Sequence, residues 1–102
     1  MTIIAKLSDY IEEELNDADK YARCALNYKE ENPNLATVFN RLSLEEMNHM
    51  NLLHEQVVAL IIEYKKAHGD PPEKMQGIYD YLHKKHMERA NEIKILQGLF
   101  KG

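Results

Sequence analysis

The sequence predicts an all-α chain of three helices, the first two folded back as a long antiparallel hairpin. Three observations predict it. Apolar residues recur at steps of three and four along almost the whole chain. Proline and glycine are scarce and fall where helices should start or stop. No stretch alternates apolar and polar as a strand would. At 102 residues the chain is read as a single domain, 1–102.

The breaks divide the chain into helices at about 3–31, 33–67 and 72–99. Asn32-Pro33 reads as an N-cap followed by proline at the first helical position. Gly69-Asp70-Pro71-Pro72-Glu73 reads as a C-cap, then a new N-cap and first turn. The first break leaves almost no loop, which places the first two helices side by side and antiparallel.

In the first helix Ile4, Leu7, Ile11, Glu14, Ala18, Tyr21, Ala25 and Tyr28 share one face. In the second, Leu35, Phe39, Leu42, Met50, Leu53, Val57, Leu60 and Tyr64 make the stripe. In the third, Met75, Ile78, Leu82, Arg89, Ile93, Leu96 and Phe100 do so, with His86 on the shoulder. Carboxylates and an imidazole interrupt the first two stripes, as Glu14 in one and Glu46 and His49 in the other. Glu12 and Glu13 fall off the face and are read as solvated, and Asp17 lies at its edge. An antiparallel hairpin brings Glu14 level with Glu46 and His49.

A net charge of −4 and a pI near 5.7 argue against a nucleic-acid surface. No apolar run approaches the ~18 residues of a membrane span. A single cysteine, Cys24, excludes an internal disulfide and suits a reducing compartment, where it reads as a small buried hydrophobe. The opening residues lack a signal-peptide pattern, because Lys6, Asp9 and Glu12 to Glu14 interrupt it. The expectation is a cytoplasmic protein.

Two carboxylates and an imidazole aimed at one point are hard-to-borderline ligands suited to iron, manganese or zinc. Glu46-x-x-His49 works on a helix because three residues advance about one turn, so the two side chains converge. An inward carboxylate is costly unless paired or metal-bound, which favours a ligand role. Asp17 is read first as an exposed charge and second as a ligand. Tyr21 is read equally as core or as a phenol hydrogen-bonded to a ligand. His54, His68, His83 and His86 are read as surface histidines, with His83 and His86 a lesser candidate for an accessory metal site.

The segment from Glu14 to about Glu55 resembles the ferritin-like proteins, that is ferritins, bacterioferritins and rubrerythrins. The resemblance rests on Glu14 followed seven residues on by Tyr21, a proline-led second helix, Leu35-Ala36, Phe39, Leu42 and Glu45-Glu46-Met47-Asn48-His49. Such bundles bind two metals through one Glu from each of two helices and a Glu-x-x-His from each of the other two. The third helix here has no Glu-x-x-His; Asp80-x-x-His83 and His83-x-x-His86 are its nearest approximations. The chain thus owns half of such a site. The resemblance implies a four-helix bundle completed by dimerisation, with a two-fold axis doubling the ligands.

This arrangement is similar to that of the encapsulated ferritins, and it implies a ferroxidase-type centre holding two Fe per dimer site, with Mn or Zn as substitutes. It further implies a homodimer or higher even oligomer, and an encapsulin shell as a partner through the tail. The tail Ile95 to Gly102 is loosely similar to an encapsulin-targeting peptide, except that Gln97 stands where an apolar residue is expected. The competing reading of the tail is the end of the third helix, packing Leu96 and Phe100. The competing function is a helical dimerisation or interaction module, holding a structural zinc or a metal-free buried Glu–His cluster.

Overall fold

The computed structural model describes residues 2–102. Three helices follow one another: α1 (Thr2–Tyr28), α2 (Pro33–His68) and α3 (Glu73–Lys101). The first turn comes three residues earlier than the sequence suggested, because Lys29, Glu30 and Glu31 form the turn itself. Asn32 then caps α2, its side-chain oxygen accepting from the Leu35 N–H at 3.2 Å, with Pro33 behind it. At the other end Gly69 takes φ +77°, a conformation glycine adopts without strain, and its N–H donates to the Lys65 carbonyl at 2.9 Å. Lys65, Lys66 and His68 in this last turn suit the negative end of the helix dipole. α3 starts after Pro72 without a side-chain cap, so Asp70 does not serve as its N-cap.

At 1.5 Å per residue the 36 residues of α2 should span ~54 Å. The longest dimension of the molecule, 55 Å, is therefore the length of one helix. α1 lies antiparallel along α2, and α3 returns chiefly along α1. The core is Ile11, Leu15 and Ala18 from α1, Met47 and Met50 from α2, and Ala90 and Ile93 from α3, with Leu53 and Val57 packed against it.

One polar node ties the three helices together. The buried Ser43 hydroxyl donates to the Ala18 carbonyl at 2.7 Å and accepts from Gln97 Nε2 at 2.9 Å. Gln97, out of place in a targeting peptide, is in place here. The tail continues α3 to Lys101, and Lys29 covers it, its Nζ 5.5 Å from the Phe100 ring centroid.

The structure rotates the core of the hairpin relative to the sequence pattern. The buried residues of α2 are Ala36, Ser43, Met47 and Met50, roughly one position round from Leu35, Phe39 and Leu42. In α1, Ser8, Leu15 and Ala22 join Ile4, Ile11, Ala18 and Ala25, while Tyr21 is half-buried and Tyr28 exposed. Near the hairpin turn the buried residues Ala22, Ala25, Ala36 and Ser43 are small and let the backbones approach closely, with the larger side chains left on an adjacent face, while Ile4, Ile11, Leu15 and Met50 fill the core farther along. In α3, Ile78 is exposed, and His86, expected at the surface, is 3% exposed. Cys24 is only partly buried.

Two faces of the hairpin result. One is covered by α3. The other carries Tyr10, Tyr28, Leu35, Val38 and Leu52, all exposed, around Glu14 and His49.

Candidate metal centre

Glu14 stands midway along α1, and Glu46 and His49 stand one turn apart midway along α2. The hairpin brings the three together as the sequence predicts. One ligand atom from each lies within 4.8 Å of the others. His49 Nδ1 is 3.4 Å from Glu14 Oε2 and 3.8 Å from Glu46 Oε2. Their setting differs from the expectation of a core insert. The Glu14 and Glu46 side chains are 24% and 20% exposed, but that of His49 is 53% exposed, so the group opens onto the uncovered face.

The electrostatics of the group are those of two carboxyl groups close enough to share a proton. Glu46 is held above the ordinary carboxylate value of 4.5, first by the hydrogen bond its protonated form makes with Glu14. Burial and the Glu14 charge push the same way, Asp17 adds to the rise, and His49 opposes it. Glu14 Oε2 is buried and has no hydrogen-bond partner among the described residues. The group that faces it is His49, whose Nδ1 at 3.4 Å meets it with a positive charge when the ring is protonated. A divalent cation would replace the shared proton and use that oxygen, and a set of two carboxylates and one imidazole fits iron, manganese or zinc.

The other candidates separate. Asp17 is half-exposed and sits 3.8 Å from Lys20 Nζ, close enough to bias Glu46 but not a member of the group. Tyr21 packs its ring on Phe39 at 6.2 Å between centroids, and no hydrogen bond joins it to the group among the described residues. Phe39 also stacks on Tyr28, so the three rings form an aromatic cluster nearer the hairpin turn than the carboxylates. Arg89 faces away from them, donating to Asn16 Oδ1 at 2.8 Å.

Sequence reasoning missed two contacts of α3. Glu12, read as solvated, faces His86 Nε2 at 3.6 Å and Lys85 Nζ at 3.8 Å. His83 pairs with His54 across the helices rather than with His86 along its own. Both depend on how α3 is rotated on the hairpin, which no local spacing records.

No family model matches the chain, and neither does any curated protein or solved structure. Among the described residues no helix is long and apolar enough to cross a membrane.

Proposed function

We propose that two copies of the chain close face to face over Glu14, Glu46 and His49, and that the joined group is a ferroxidase-type centre handling Fe(II). The observation that carries this is the convergence of Glu14, Glu46 and His49, one ligand atom from each within 4.8 Å of the others, on a face that α3 leaves open. One chain supplies two carboxylates and one imidazole; a two-fold axis supplies four and two, the count of a two-metal carboxylate site. The exposed Tyr10, Tyr28, Leu35, Val38 and Leu52 give the closure apolar area to bury and would shut water out around the ligands.

Fe(II) is the substrate: two ions give up one electron each, and dioxygen takes both with two protons to leave hydrogen peroxide. Glu14 and Glu46 supply the negative charge that favours the ferric product, and His49 a nitrogen donor. Manganese or zinc would occupy the same donors without turnover. An encapsulin shell as partner is a weaker corollary, since docking through the tail would have to release Gln97 from Ser43.

The raised proton affinity of Glu46 favours a second reading, a metal-free cluster in which two acids share a proton at an interaction surface. Sedimentation with and without Zn(II), and aerobic Fe(II) addition followed by ferric absorbance, separate the two. The ferroxidase reading expects metal to tighten association, because it binds the dimer and not the monomer. It expects Glu46→Ala to abolish metal binding and Glu14→Ala or His49→Ala to weaken it severely, with the helices intact by circular dichroism. Full metal occupancy in all three variants, or association indifferent to metal with one ion per isolated monomer, would defeat it.

A further inference from the structure

The outward side of α3 carries a second regular line of residues. From Ile78 to Leu99 an exposed residue recurs at alternating steps of three and four, the spacing of a helix seam. The exposed large apolar side chains of α3 all fall on this line: Ile78 and Tyr81 at one end, Ile95 and Leu99 at the other, each 50% to 65% exposed. Lys85, Glu88 and Glu92 lie between them, also exposed. We propose that this line is a docking surface for a second copy of the chain, the two α3 helices packing antiparallel about a two-fold axis beside residues 86 to 88. The contact is separate from the open face of the hairpin and needs no metal. A chain then has two self-pairing faces and assembles beyond a dimer.

The charges decide the partner and its direction. Lys84 and Lys85 stand in the first half of the line, Glu88 and Glu92 in the second. A parallel partner would set like charge on like along the whole centre. An antiparallel copy brings the lysines of each chain against the glutamates of the other, and Ile78 and Tyr81 against Ile95 and Leu99, over ~32 Å of helix. Glu88 and Glu92 are one turn apart, a like-charge pair unfavourable in an isolated helix, and neither makes an ion pair among the described residues. Lys85 Nζ is 3.8 Å from Glu12 of its own chain, but its side chain is still 53% exposed and can meet a second carboxylate. Gly77 and Gly98 each precede an end residue of the line. Glycine inside a helix is unfavourable, and a Cβ at either position would meet nothing within 4 Å among the described residues. Nothing inside the chain calls for these glycines; the close approach of a second helix does.

The Val38→Asp chain isolates this contact, because its open face is disabled. At high micromolar concentration it should sediment as a dimer, and adding Ile95→Asp should make it a monomer. Ile95 is 65% exposed, so helix content by circular dichroism should not change. In the parent chain Ile95→Asp should likewise lower the sedimenting mass. Lys84→Glu with Lys85→Glu should weaken the Val38→Asp dimer at least tenfold. Mixing that chain with one carrying Glu88→Lys and Glu92→Lys should restore a dimer with one copy of each. Direction is read by oxidation of Ile78→Cys and Ile95→Cys chains, both also Cys24→Ser. Mixed, they should join through a 78–95 disulfide; alone, neither should link to itself. A monomeric Val38→Asp chain, a dimer indifferent to Ile95→Asp, or self-linking of each cysteine variant would overturn the proposal. A failure of the ferroxidase reading would leave these results unchanged, because Val38→Asp removes the face on which it rests.

Discussion

The two faces of the α1–α2 hairpin are built on the same helical repeat and differ in the size and charge of what they carry. Near the hairpin turn the covered face uses Ala18, Ala22, Ala25, Ala36 and Ser43, all at most 1% exposed, with Ile4, Ile11 and Leu15 buried farther along. The open face uses Tyr10, Tyr28, Leu35 and Val38, between 36% and 52% exposed, with Glu14 and Glu46 between them. Small side chains let backbones come close, so that face is completed within the chain by Met47, Met50 and α3. Large side chains and carboxylates prevent such an approach and leave the second face unfinished. The difference shows why apolar spacing alone does not reveal which face is the core: both faces have the spacing, and only one has the fit.

The largest effect should come from the covered face. Leu15 is 1% exposed and sits in the cluster with Met47, Met50 and Ile93. Leu15→Ala should cost ~2–5 kcal/mol of stability, read from the urea midpoint. The matching change on the open face, Val38→Asp, should shift stability by no more than ~0.5 kcal/mol, because Val38 is 52% exposed. It should instead abolish the proposed face-to-face association in sedimentation. If Val38→Asp unfolds the chain, or leaves association intact, the division of labour between the faces is wrong.

Next comes the Ser43 node. Ser43→Ala removes the acceptor for Gln97 Nε2 and leaves that buried amide unpaired. The expected loss is ~1–3 kcal/mol, from desolvation without compensation. Ser43→Ala with Gln97→Leu should recover part of it, since neither buried polar group then remains. A double variant as unstable as the sum of the two single ones would show that the node carries no coupling.

The hairpin was legible because its ends are written in short-range chemistry: Asn32 and Pro33 at one turn, Gly69 at the other. The Glu14–Glu46–His49 group was legible for a related reason. Glu46 and His49 lie one turn apart, and Glu14 lies at the depth that an antiparallel return dictates. What could not be read was the rotation of each helix about its axis. Leu35, Phe39 and Leu42 make a better apolar stripe than Ala36, Ser43 and Met47, yet the smaller set is buried, because close approach outweighs side-chain volume here. The placement of His86 and the meeting of His54 with His83 follow from the rotation of α3, and residues 32 and 29 positions apart leave no local trace.

The smallest effect at neutral pH, and the one that grows with acid, belongs to His86. Its ring is buried in the covered face, and Nε2 has no hydrogen-bond partner among the described residues. Burial lowers its pKa from 6.5, while Glu12 of α1 pulls the other way and Lys85 and His54 assist burial. The folded chain therefore binds this proton less tightly than the unfolded chain does. The stability it contributes is present above pH 6.5 and is lost as pH falls through the depressed folded value. Melting temperatures measured from pH 8 down to 5 should decline in the parent below about pH 6.5, and α3 should be the element that loosens, seen as faster amide exchange there than in the hairpin. His86→Leu keeps an apolar group of similar size in the site and cannot protonate. Its melting temperature should fall less over the same range and lie at or above the parent's at pH 8, since an unpaired nitrogen has been removed. Parallel curves for the two proteins would assign the acid sensitivity to other groups, the His54–His83 pair first among them.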